Sequence, residues 1–448
     1  MKANKSKSSQ IRANAAFAID QVITKNRTID WVENAHPQWL EEPTAREIIY
    51  GALRYLQGLK ALCDEHLDRP LRSKDSNIYA LLLVGAYQLK FMNTPAHAAI
   101  NETVGACRVM RRPWATRLVN AVLRKIQNTE RSFDSNDQLN PAIKVLIDQQ
   151  YPEHQIELSN ALLSRAPMTL RVNVSAIQPA EYCEQLTQAD IGFSNAWFPE
   201  TLILDEAMPA RALPGYQDGH VSIQDGGAQW VHHLLFRDNN LQSLDCKFLD
   251  ACAAPGGKLF HTIEQLSTNR PDARLTYTAL ELEPKRAETM AQLGARLGHE
   301  VQPLVGDASA HDWWDGEQFS HILLDAPCSG TGTIRRHPDI NVLFEKAHLF
   351  EHAQKQHSML NNLWPMLRPG GSLLYCTCSL LEQENDQVIE AFVKQQEGEQ
   401  HPTSLPSVQP LSLPTGQKTQ FGWQLLPTDT QTDGFFFSLL RKPLPNAS

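Results

Sequence analysis

The stretch FLDACAAPGGKLFH, residues 248–261, decides the fold. An apolar run ends at Asp250, small residues follow through Gly257, and from Lys258 the pattern takes on a helical period. Pro255, Gly256 and Gly257 let backbone approach a ligand closely, and the N-terminus of the following helix favours the ligand's anionic end. Outward from this turn, strand and helix patterns alternate. RLTYTALEL (274–282), VQPLV (301–305), HILLDA (321–326) and SLLYCT (372–377) are the further strands, with CKFLDA (246–251) the first. Alternation of this kind predicts a mostly parallel α/β sheet. An acid at the end of the second strand can accept both hydroxyls of a ribose, and Glu281 and Glu283 stand there. Asp307, after the third strand, lies where an adenine amino group would fall. A nucleoside cofactor is therefore expected. A nicotinamide-dependent dehydrogenase would use the same sheet, but nothing downstream supplies its acid or base for hydride transfer.

Downstream stand two cysteines instead. LLDAPCSGTG (323–332) and LLYCTCSL (373–380) each run from an apolar strand into a polar turn. Ligands of open α/β sheets bind outside the carboxyl ends of the strands, so Cys328 and Cys378 should face the cofactor crevice although 50 residues separate them. A free cysteine is more often an inert small hydrophobe, and Cys376 is expected to be one. Paired thiols at such a site suit cytosine chemistry. Carbon 5 of cytosine is a weak nucleophile until a thiolate adds at carbon 6. Asp325 is close enough in sequence to bond cytosine N3, or else to contact the methionine end of the cofactor.

The rest of the chain is consistent with a reduced, non-membrane protein. No secretory signal and no long apolar span is visible in the 448 residues, so a cytoplasmic location is expected. Eight cysteines contain one close pair, Cys376 and Cys378, without a second pair to complete a zinc set, and no metal is expected. The net charge of −9 hides an asymmetry: residues 1–150 hold 21 Lys+Arg against 15 Asp+Glu, and the remainder 20 against 35. A basic N-terminal part fits phosphate contact. Residues 5–130 read as helical, with IYALLLVGAYQLKFM a buried helix that breaks at Asn93-Thr94-Pro95. ERSFDSNDQLNP (130–141) reads as a linker, 142–240 as a small α+β subdomain, and 241–448 as the catalytic domain. Residues 397–418 read as a mobile loop, and GFFFSLLR (434–441) as a last strand hairpinned with FGWQLLP. Arg335 and Arg336 read as a phosphate clamp, and Phe435, Phe436 and Phe437 as strand core.

At these motifs the chain resembles the RNA cytosine-C5 methyltransferases of the Nol1/Nop2/Sun group, and more narrowly its bacterial Sun/Fmu branch, which acts on cytosine 967 of 16S ribosomal RNA. The resemblance covers nearly the whole chain. It runs through AREIIYGALRY, HAAINETV, RLVNAVLRK, RVN (171–173), SIQDGGAQ (222–229), DACAAPGGK, LLDAPCSGTG, RRHPDI (335–340), TCSLLEQEN (377–385) and DGFFFSLL (433–440). It implies a Rossmann-like methyltransferase core, an N-terminal all-α NusB-like RNA-binding domain, S-adenosylmethionine as cofactor, 16S ribosomal RNA as partner and a monomeric enzyme. Cys378 is implied as the nucleophile and Cys328 as the helper in product release. Cofactor contacts are implied at Cys252, Ala253, Ala254, Pro255, Gly256, Gly257, Lys258, Glu281, Asp307 and Asp325. Related sequences carry Asp where this chain has Glu281. A DNA cytosine methyltransferase, or an RNA-binding factor that kept the fold without the chemistry, are the competing readings. Binding alone needs neither thiol.

Overall fold

In the computed structural model, residues 2–237, 245–270, 274–399 and 405–444 are described. The chain forms two compact units, one of residues 1–165 with 334–345 and one of 166–333 with 346–448.

The first unit is helical. Its central helix, Ser76–Phe91, is buried on every side from Ala80 to Gln88 and ends ahead of Pro95, which caps the helix Ala96–Val109. Lys2–Lys25, Pro43–Arg54 and Thr116–Asn128 complete the bundle around it. The unit does not stop at the polar run 130–141. Phe133 packs edge-on against Tyr55 and Phe91, and the Gln138 side chain accepts the amide hydrogen of Gly58 at 2.9 Å. Two further helices, Pro141–Gln150 and Gln155–Leu163, follow. This run is polar because its side chains tie backbone groups together, which composition alone does not separate from a linker. Residues 334–345 return to the same unit much later in the chain. There Asp339 accepts the amide of Ile29 at 2.9 Å, and Asn341 bonds the backbone of Gln138 and Asn140.

The second unit holds two sheets. The smaller is antiparallel, in the order Phe193–Asn195, Thr201–Leu204, Met168–Val172, Val221–Ile223. In the larger, Asp245–Asp250 lies between Arg274–Glu281 and Phe319–Asp325 and is parallel to both. Leu304–Val305 extends one side; Leu367–Thr377 extends the other in parallel, followed by Phe435–Arg441 antiparallel. The chain thus winds outward from its first strand in one direction and then the other, which opens a crevice at the carboxyl ends of Asp245–Asp250 and Phe319–Asp325. Alternate residues feed opposite faces. Phe248, Leu323, Leu374 and Cys376 pack with Leu259 and Phe260, while Leu249, Ile322, Leu373 and Tyr375 pack with Met359, Leu363 and Phe392.

The C-terminal segment departs from a plain hairpin and loop. Trp423–Leu425 pairs with Phe435–Arg441 as expected, but Ser407–Gln409 also pairs with that strand, inside the stretch read as a mobile loop. Residues 400–404 of that stretch, and the boundary at 240/241, lie outside the described residues. Phe435, Phe436 and Phe437 are buried in the core. No described helix is long and apolar enough to cross a membrane.

Candidate functional site

A cavity of about 310 Å³ opens at the crevice. Five strand ends bring Cys252, Ala254, Glu281, Glu283, Asp307, Asp325, Cys328 and Cys378 into its lining. The remaining residues of the glycine turn sit behind it. Ala253 donates its amide to Leu280, and Gly256 takes φ 103°, where an added Cβ would meet Phe260 at 2.3 Å. That turn therefore needs glycine on both conformational and packing grounds. Gly257 begins the helix Gly257–Asn269 and its carbonyl accepts from Arg171 at 2.6 Å.

The acids have distinct settings. Glu281 is buried, accepting from the amides of Ala254 at 3.2 Å and Glu283 at 3.0 Å, with Arg286 at 3.4 Å. Asp307 accepts the hydroxyl and amide of Ser309, and the hydroxyl bond holds its carboxyl below the ordinary range. Asp325 pairs with the Lys258 ammonium and takes a hydrogen bond from Cys376 Sγ at 3.4 Å. Asp250, under the turn, is wholly enclosed; burial, with Asp325 adding to it, pushes its carboxyl up to about 7. The lining suits S-adenosylmethionine: its acids match a ligand that carries a sulfonium and an ammonium, and Glu281 and Asp307 would be available to accept from hydroxyl and amino donors.

At one edge of the cavity the sulfurs of Cys328 and Cys378 stand 3.5 Å apart. The Cys378 sulfur together with burial pushes the Cys328 thiol well up. The pair is held by a residue that sequence reasoning did not single out. Glu384 is fully buried and accepts the Ser329 amide at 2.7 Å, the Ser329 hydroxyl at 2.5 Å and the Ser379 hydroxyl at 2.6 Å. Each serine directly follows one of the thiols. Its neighbour Asn385 accepts from Thr377 and donates to the Ser379 carbonyl. The only signal was an acid and an amide closing the TCSLLEQEN motif. Backbone contact also fixes the first loop: Gly332 bonds the Cys378 carbonyl at 2.9 Å, and a Cβ on it would strike the Gly434 carbonyl at 2.2 Å.

Cys376 is buried as expected, yet it also bonds Asp325. Arg335 is not presented as a phosphate clamp: its side chain is buried in the helical unit and its carbonyl accepts from Arg54. RVN and SIQDGGAQ knit the small sheet to the large one. Arg171, fully buried, meets Glu264 at 2.8 Å as well as Gly257, and Asp225 caps the helix Gly226–Leu235 while accepting the amide of Asp433. Among the described residues, one cluster has metal-like donors, Glu200 with His233 and His261. Its ligand atoms are occupied with one another: Glu200 Oε1 lies 3.3 Å from Nε2 of both imidazoles and accepts from Gln265 at 2.6 Å.

The family model described as 16S rRNA methyltransferase RsmB/F matches residues 239–441, the NusB family model 9–128, and a ferredoxin-like domain model of RsmF/B-like methyltransferases 145–211. The probable ribosomal RNA small subunit methyltransferase B of Coxiella burnetii is 36% identical over 451 residues, covering 96% of this chain and 99% of that protein. The ribosomal RNA small subunit methyltransferase B of Vibrio vulnificus is 35% identical, at 96% and 99% coverage. Among solved structures, PH0851 superposes with a TM-score of 0.79 at 20% identity, over 97% of this chain and 99% of its own. NSun6 from Pyrococcus horikoshii, solved with SFG, superposes at 0.57 and 18% identity, over 67% and 98%. Sequence likeness along its whole length, with the three domains in order and a nucleoside-fitting crevice, shows that the chain belongs to the 16S rRNA methyltransferase RsmB/F family and is an S-adenosylmethionine-dependent RNA methyltransferase.

Proposed function

We propose that this enzyme, acting as a cytoplasmic monomer, methylates carbon 5 of cytosine 967 in 16S ribosomal RNA through a covalent adduct between Cys378 and cytosine carbon 6. The observation that carries this reading is the 3.5 Å thiol pair at the edge of an acid-lined nucleoside cavity. Glu281 and Asp307 bind the cofactor's ribose and adenine, and S-adenosylmethionine, when bound, supplies an electrophilic methyl group. Two thiols at contact distance do not both ionise. As the family resemblance implies, the attacking thiolate is assigned to Cys378, with Cys328 beside it as the proton-bearing partner.

The Cys378 thiolate adds to carbon 6, and electron density moves to carbon 5, which takes the methyl group. A base then removes the carbon-5 proton, the ring double bond re-forms, and the Cys378 thiolate leaves. Cys328 stands where its S–H can donate to that departing sulfur. Cys378→Ala should abolish methyl transfer while leaving cofactor affinity unchanged; turnover by this variant would exclude Cys378 as nucleophile. Bisulfite mapping of ribosomal RNA, with and without the protein, tests the position.

A further inference from the structure

We infer that the exposed turn around Trp114 in the helical unit is a docking site for an unpaired stretch of RNA, with one base stacked on the indole. The inference rests on the reading that the substrate is ribosomal RNA and says which surface holds it outside the catalytic crevice.

Charge singles the surface out first. Residues 103–128 contain six cations and no acid. Arg108, Arg111, Arg117, Arg124 and Lys125 are all exposed, and none forms an ion pair with a described residue. Arg117 and Arg124 are seven residues apart on the helix Thr116–Asn128, hence on one face and about 10 Å apart along its axis. At the head of that helix Trp114 is 51% exposed, and among the described residues no ring or cation covers its face. An uncovered indole amid unpaired arginines is a stacking platform within a phosphate-attracting surface.

Backbone geometry adds an independent observation. The helix Ala96–Val109 ends with Arg111 at φ 57° and the Arg112 amide bonded back to the Cys107 carbonyl at 2.7 Å. This left-handed position favours glycine, and an arginine there is sterically disfavoured. No hydrogen bond or ion pair of the Arg111 side chain to a described residue offsets that strain. Its side chain is instead left exposed, three residues before Trp114. Duplex RNA keeps its bases stacked on one another and cannot cover the indole, so the ligand is single-stranded.

The test uses the full chain and filter binding to a short mixed-sequence oligoribonucleotide, single-stranded or annealed to its complement. Trp114→Ala should weaken single-strand binding about tenfold or more and duplex binding far less. Arg111→Gly relieves the left-handed strain, so it should leave the melting temperature equal or higher while reducing the salt slope of single-strand binding by about 0.7. Wild-type affinity in both variants, as expected if the surface serves a protein partner, overturns the inference, and so does an equal loss toward single strand and duplex. A parent chain that binds no RNA overturns the underlying RNA reading instead.

Discussion

Replacing Glu384 with alanine tests whether the thiol pair is held by a buried carboxylate. The side chain receives three donors, the Ser329 amide and the hydroxyls of Ser329 and Ser379. Hydrogen bonds to a charged group contribute about 1.5–3 kcal/mol each. The hydroxyls have alternatives: Ser379 lies 3.2 Å from Thr331 and 3.3 Å from the Ser329 hydroxyl, so rotation recovers part of their loss. The Ser329 amide gains nothing by rotation and is left unsatisfied, at about 1–3 kcal/mol. With the void added, Glu384→Ala should cost about 3–5 kcal/mol, a large share of the roughly 5–15 kcal/mol that holds a domain together. Glu384→Gln keeps the shape and one acceptor and should cost about 1–2 kcal/mol. Urea unfolding gives the stabilities, and single-turnover methyl transfer reads the thiol geometry. The rate should fall for both variants, most for alanine, because the loops bearing Cys328 and Cys378 lose their common anchor. An alanine variant within about 1 kcal/mol of the parent, or with unchanged single-turnover rate, would refute the anchoring argument.

Cys328→Ala should accumulate a covalent RNA–protein adduct, seen as a retarded band on a denaturing gel; a clean lane removes the release role from that thiol. Arg171→Met strands the Glu264 carboxyl in the interior and should cost about 3–5 kcal/mol, whereas Arg171→Met with Glu264→Leu should recover most of it; no recovery in thermal melts would mean that the Gly257 carbonyl, not the ion pair, is what Arg171 serves. Asp250 titrates higher in the folded chain than unfolded, because burial and then Asp325 disfavour its charge. The folded state therefore binds the extra proton, and stability is lost as pH rises from the ordinary carboxylate range to about 7. Asp250→Asn should flatten that loss when unfolding is compared at pH 5 and pH 8, and an unchanged difference contradicts it.

Local pattern and chemistry were readable where the determinants are contiguous. DACAAPGGK, DAPCSG and TCS each place a loop directly after a strand, so their order along the chain already predicted a shared crevice. Long-range partners were not readable in this way. Nothing about Glu384 marks it as the acceptor for both Ser329 and Ser379, since one of those partners is 55 residues away. Arg171 looks like an ordinary strand cation until the helix Gly257–Asn269 brings Glu264 against it. The polar run 130–141 concealed its partners for the same reason: Gln138 is bonded to Gly58, 80 residues earlier. Arg335 was assigned by its nearness to Cys328 in sequence, but the chain changes units between them.

That change of unit has a consequence for how the enzyme is made. The helical unit is synthesised through residue 165, yet its last piece, residues 334–345, leaves the ribosome only after the loops that bear Cys252 and Cys328. At ordinary elongation rates the gap is roughly 10–30 s. For that interval the amide of Ile29 lacks Asp339, and Leu343 is missing from the apolar cluster it joins. The nascent bundle therefore waits, incompletely sealed, for a strap encoded within the methyltransferase unit. An N-terminal fragment cut at residue 165 keeps the open seam, whereas one that carries residues 334–345 on a tether should close it.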